Sequence, residues 1–114
     1  MLLRDVVTLV KGEVLTGENL LGKQVETCFG SDMMSQVLAH SKPNTLLCTG
    51  LTNMQVIRTA DMTELSAIIF TGGKRPCEDI IEAGADDGLP LLATAISLQE
   101  ACRILLQAGL MECK

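Results

Sequence analysis

Three short apolar runs, Thr45-Leu46-Leu47-Cys48, Ala67-Ile68-Ile69-Phe70 and Leu89-Pro90-Leu91-Leu92, begin 22 residues apart in the second half of the chain. They are continuous rather than alternating, as strands covered on both faces require. The interval leaves room for one helix and two short loops, so the pattern predicts strand-helix-strand units, parallel pairing and right-handed crossovers. The runs share no consensus and the first 44 residues break the period, which excludes a solenoid.

The segments between the runs carry helix signals. Thr52-x-x-Gln55 has the form of a capping box, Pro76 with Glu78 and Asp79 resembles a helix start, and Gly88 supplies a stop. A second capping box, Ser97-x-x-Glu100, opens a helix with the stripe Leu98, Ala101, Cys102, Leu105 and Ala108, and Gly109 closes it. Nearer the start, Leu2, Leu3, Val6, Val7 and Val10 recur at helical spacing up to Gly12. Glu13-Val14-Leu15 and Val25 to Phe29 read as strands, with a turn at Thr16-Gly17-Glu18-Asn19. Ser31-Asp32 is expected to cap a helix with the apolar face Met33, Met34, Val37 and Leu38, ending before Pro43. The fold class is therefore α/β: a single three-layer α/β/α-type domain over residues 1–114, with a small parallel or mixed sheet.

Composition narrows the partners. Of 114 residues 47% are hydrophobic and 20% charged, enough for a packed core and unlike a disordered chain. The formal charge of −5 opposes nucleic acid and anionic membranes, and with 2% aromatic residues no base-stacking platform can be built. No apolar stretch has the length of a membrane span or of a signal peptide core. Cys28, Cys48, Cys77, Cys102 and Cys113 contain no C-x-x-C pair, so no metal or cofactor is expected and a reduced, cytoplasmic setting fits. Cys28, Cys48 and Cys102 are expected to be small buried apolar residues.

In open α/β sheets ligands bind beyond the carboxyl ends of the strands. Three loops qualify, each beginning with threonine: Thr49-Gly50-Leu51-Thr52, Thr71-Gly72-Gly73-Lys74-Arg75-Pro76 and Thr94-Ala95-Ile96-Ser97. The paired glycines permit close backbone approach and left-handed turns, and Lys74 with Arg75 supplies charge suited to an anion. Thr49, Gly50, Thr71, Gly72, Gly73, Lys74, Arg75, Thr94 and Ser97 are thus the expected ligand-binding residues, on one rim. Neither a P-loop nor a G-x-G-x-x-G is present. The single histidine, His40, stands outside any nucleophile motif and is read as structural or solvated. No catalytic residue is assigned. The alternative is a small serine-kinase-like phosphotransfer enzyme with Thr71 or Ser97 as the reacting hydroxyl, but no base is at hand to activate either.

The run Ile68-Ile69-Phe70-Thr71-Gly72-Gly73-Lys74-Arg75-Pro76, followed by Gly88-Leu89-Pro90-Leu91-Leu92-Ala93-Thr94 and preceded by Gly30 to Leu38, resembles the DRTGG domain family. Ile69-Phe70 stand where the family name has Asp-Arg. The resemblance implies a regulatory or interaction module, similar to the N-terminal domain of HPr kinase/phosphorylase and to domains within phosphotransacetylases and CBS-regulated pyrophosphatases. It also implies homodimers, and a partner protein or small anionic ligand in place of chemistry, since the phosphotransfer machinery of that kinase lies in a separate domain.

Overall fold

The computed structural model describes residues 1–112, which form one six-stranded mixed sheet between two helical layers. In chain order the elements are α1 (Leu3–Leu9), β1 (Glu13–Thr16), a 3-10 turn (Glu18–Leu20), β2 (Thr27–Gly30), α2 (Met34–His40), β3 (Thr45–Thr49), α3 (Met54–Thr63), β4 (Ala67–Phe70), α4 (Glu78–Asp86), β5 (Leu91–Ala93), α5 (Leu98–Gln107) and β6 (Met111–Glu112). Across the sheet the order is β1-β5-β4-β3-β2-β6. β2 to β5 run parallel, β6 joins β2 in parallel, and only β1 is antiparallel, on β5.

The three evenly spaced runs become β3, β4 and β5, the middle of the sheet, and their side chains alternate between two cores. Leu46, Cys48, Ala67, Ile69 and Leu92 face α1 and α5, where they meet Leu3, Val6, Val10, Ala101 and Leu105. Leu47, Ile68, Phe70 and Leu91 face the other way, onto Met34 and Val37 of α2, Val56, Ile57 and Ala60 of α3, and Ile80 of α4. Burial on both sides explains why these strands are apolar throughout, apart from the buried threonines at the two ends of β3.

Helix ends follow local chemistry where it is strongest. The Ser97 hydroxyl accepts from Glu100 N, as its capping box requires. α4 and α5 stop in Schellman turns: Leu89 N bonds Gly84 O around Gly88, and Leu110 N bonds Leu105 O around Gly109. The same turn ends α1, with Gly12 N on Val7 O and Lys11 N on Thr8 O, but the left-handed position is Lys11, at φ 53°, and not the glycine.

Four local expectations are corrected. Asn53, with no side-chain cap bond, precedes α3, so the Thr52-x-x-Gln55 box is not formed. Met33 precedes α2, also without a side-chain cap, because Asp32 is turned toward the next strand. Met33 and Leu38 lie exposed, and the buried side of that short helix is Met34 and Val37 alone. β2 starts two residues later than the apolar alternation suggests, since Val25 N pairs with Met1 O before the ladder with β3 begins at Thr27.

The buried ring at the sheet centre gives a direct test. Phe70 is 0% exposed in the α2-α3-α4 core, so Phe70→Ala is expected to lower unfolding free energy by about 3 to 5 kcal/mol. Met62, 72% exposed, is the control, and Met62→Ala is expected to change it by less than about 0.5 kcal/mol. Urea denaturation followed by far-UV circular dichroism measures both.

Candidate functional site

The parallel ladders bring the carboxyl ends of β2, β3, β4 and β5 to one rim. Ser31 N bonds Cys48 O, Thr71 N bonds Thr49 O and Thr94 N bonds Phe70 O, so each strand end is stitched to its neighbour. Three of these ends close with the same device, a hydroxyl that accepts the backbone N–H two residues on. Ser31 accepts from Met33 N, Thr49 from Leu51 N and Thr94 from Ile96 N. The threonine hydroxyls also donate inward, Thr49 to Asp32 Oδ1 at 3.0 Å and Thr94 to Val10 O at 2.6 Å.

β4 ends differently. Gly72 and Gly73 both take positive φ, 74° and 76°, in a tight turn between Thr71 and Lys74, a conformation that side chains with a Cβ adopt at a cost. Their N–H groups point into the protein: Gly72 N bonds Ile96 O at 2.8 Å and Gly73 N bonds Thr94 O at 3.0 Å. Gly50 N is likewise held, by Asp32 Oδ1 at 2.7 Å. The glycine turn therefore locks the β4 and β5 loops together and offers no backbone cradle for an anion.

Charge at the rim comes from side chains. A cavity of about 280 Å³ is lined by Lys11, Gly12, Glu13, Gly73, Lys74, Arg75, Ala93, Thr94 and Ala95. Arg75 Nη1 donates to Glu13 Oε2 at 2.5 Å, and the carboxylate raises the guanidinium pKa. This pair is more than half exposed and adds little stability, but it ties Arg75 to the β1 edge. The Lys74 ammonium leans the other way, over Gly50: a Cβ placed there would stand 3.7 Å from Lys74 Nζ and 3.5 Å from Asp32 Oδ1. Lys74 thus bridges the cavity and the Thr49-Gly50 loop.

The three loops expected to share a rim do share it. Among the expected residues, Gly73, Lys74, Arg75 and Thr94 line the cavity, while Thr49, Gly50, Thr71 and Gly72 build the backbone frame beside it. Thr49, Thr71 and Thr94 are buried, so they serve as struts. Ser97 starts α5 as its cap and borders a separate depression with Gln99, Glu100 and Arg103. His40 is exposed on the opposite face of β2 from α5, its ring centroid 6.0 Å from that of Phe29.

Sequence reasoning missed Lys11, Glu13 and Asp32. The first two arrive because β1 is antiparallel, which lays its first residue beside the last residue of β5, Glu13 opposite Ala93. The available signals were the Lys11-Gly12-Glu13 turn itself and an aspartate just past a strand end, where rim residues belong. A second cavity, of about 150 Å³, lies at the opposite strand ends near Lys23, Glu64, Asp87 and Gly88; there Lys23 Nζ donates to Ser66 O at 3.0 Å, and burial lowers its pKa.

Comparison with known proteins adds a lineage. Residues 5–108 match the family model described as DRTGG domain. A solved structure, the CBS and DRTGG domains of the regulatory region of Clostridium perfringens pyrophosphatase complexed with its activator diadenosine tetraphosphate, superposes with a TM-score of 0.74. The match is 18% identical and covers 94% of this chain but 46% of that one, so this chain spans about half the length of its structural neighbour. No curated protein matches the sequence.

Two substitutions test the frame. Gly73→Ala meets no atom within 4 Å, yet is expected to destabilise by about 1 to 2 kcal/mol because of its positive φ alone. Asp32→Ala removes two charge-assisted bonds at an exposed site and is expected to cost about 1.5 kcal/mol, with faster hydrogen exchange at the Gly50 amide. Chemical denaturation and exchange measured by NMR read these effects, and an unchanged Gly50 amide would contradict the strut assigned to Asp32.

Proposed function

Because the chain belongs to the DRTGG domain family, we propose that it is a non-enzymatic regulatory module that binds a small anionic ligand at the corner formed by Lys11, Lys74 and Arg75. One observation carries this reading: three of the nine basic residues in a chain of net charge −5, Lys11, Lys74 and Arg75, line a single 280 Å³ cavity at the strand-end rim. Glu13 is the one acid in the lining and pairs with Arg75, so three cations against one carboxylate leave the lining net positive. The concave shape favours a small molecule over a flat protein partner. The activator held by the pyrophosphatase regulatory region is a polyphosphate dinucleotide, and nucleotides or acyl phosphates are the ligand class this charge suits.

Lys11 supports the assignment through its backbone. It holds a left-handed position that glycine fills more cheaply, and doing so directs a cation to the rim. The phosphotransfer alternative finds no support in the hydroxyls it needs: Thr71 is buried, and Ser97 accepts the Glu100 amide as a cap. A cytoplasmic location is part of the proposal, and no helix among the described residues is long and apolar enough to cross a membrane. Homodimerisation also belongs to it, and a monomeric parent protein in analytical ultracentrifugation would remove the dimer.

Calorimetry with a panel of nucleotides and acyl phosphates tests the site. Binding should weaken with salt and fall about tenfold in Lys74→Ala, roughly 1.4 kcal/mol. Lys11→Gly separates function from stability: relieving the left-handed side chain should raise unfolding free energy by about 0.5 to 1 kcal/mol while ligand affinity drops. No heat of binding with any panel member, or affinity unchanged in both variants, overturns the proposal.

A further inference from the structure

On the α1-α5 face, away from the charged corner, α5 presents a cysteine to the β2-β3 ladder. Cys102 is partly exposed and lines a groove of about 480 Å³ with Phe29, Gly30, Leu98, Leu106 and Glu112. Its sulfur rests directly on Gly30: a Cβ added to that glycine would stand 2.4 Å from Cys102 Sγ. Gly30 pairs with Cys48 across the parallel ladder, so the Cys102 sulfur above Gly30 lies beside the strand position of the fully buried Cys48. A third thiol, Cys28, is buried in the same core.

We propose that Cys102 and Cys48 form a reversible oxidation site, in which Cys102 meets a peroxide entering through the groove and Cys48 resolves the product as an intramolecular disulfide. Two thiols brought to one rung of the ladder, one reachable from solvent and one sealed beneath it, form the arrangement of an attacking and a resolving thiol. The hydrogen bond from Cys48 lowers the Cys102 pKa and raises that of Cys48 well above the ordinary range, with burial adding to the latter. Glu112 and Arg103, of opposite charge, line the groove with Cys102.

In the first step the Cys102 thiolate attacks one peroxide oxygen, the O–O bond breaks, and Cys102 sulfenic acid and hydroxide form. In the second, the Cys48 sulfur attacks the sulfenic sulfur, the S–O bond breaks, and water leaves with the Cys48 proton. The two sulfurs lose two electrons in all, which the peroxide accepts, and a dithiol reverses the change. The resulting bond would tie α5 to β3 one residue below Thr49.

The test uses the full chain with Cys77→Ser and Cys113→Ser, which leaves the three core thiols untouched. After hydrogen peroxide treatment, intact mass should fall by two hydrogens, and non-reducing peptide mapping should find Cys48 joined to Cys102. Dithiothreitol should restore the mass. Cys102→Ser should abolish the loss, and Cys48→Ala should instead leave a Cys102 sulfenic acid that dimedone traps. Mapping needs no change at either sulfur, so a poorly folded Cys48 variant does not blunt the test. An unchanged mass, a Cys28 linkage, or a disulfide that survives Cys102→Ser overturns the proposal.

Discussion

The parallel ladders joining β2, β3, β4 and β5 determine where everything else in this protein sits. Parallel strands end at the same edge, so their outgoing loops must crowd together, and strands buried on both faces leave those loops no alternative route. The crowding raises a backbone problem, because the N–H groups beyond each strand still need acceptors. Ser31, Thr49 and Thr94 answer it with one hydroxyl apiece, each taking the amide two residues on. At β4, which lacks that bond, two left-handed glycines bend the chain so that its amides reach the carbonyls of Thr94 and Ile96.

This solution limits what the rim can recognise. A strand-end loop that leaves its amides outward makes a phosphate cradle, but here the amides of Gly50, Gly72 and Gly73 already have protein acceptors. In the proposed reading, recognition of an anion rests on side-chain charge, which is longer-ranged, less geometrically selective and more sensitive to salt than an amide cradle. Under the proposed function, such a rim suits a ligand whose concentration is being sensed better than one whose bonds are to be broken, since chemistry needs donors fixed against the reacting atoms.

Much of this was legible locally. The runs at residues 45, 67 and 89, the capping box at Ser97 and the stops at Gly88 and Gly109 depend on neighbours within a few residues, and each appears where sequence places it, except that the third strand starts at Leu91, two residues into its run. What escaped notice depends on distant partners. The Thr94 hydroxyl reaches Val10 O across 84 residues and Arg75 reaches Glu13 across 62, so no local pattern could announce that the N-terminal turn completes the site. Asp32 is a residue type that commonly caps helices, but two donors from the neighbouring strand end outcompete the one helix amide. Met33 and Leu38 show the same limit from the apolar side: a seven-residue helix at the sheet margin has too narrow a buried face to cover four residues.

The junction of α1 with β1 joins these constraints. Thr94 holds Val10 O, Lys11 carries the left-handed turn, Gly12 N closes back on Val7 O, and Glu13 begins the antiparallel edge beside Ala93. Four consecutive residues thus couple the end of a helix, the end of a central strand and the start of an edge strand. An anion bound against Lys11 would touch the one point where α1, β1 and β5 meet. In the proposed reading, ligand charge acts on how firmly the edge strand and opening helix are held, while the centre of the sheet, packed on both faces, stays unchanged.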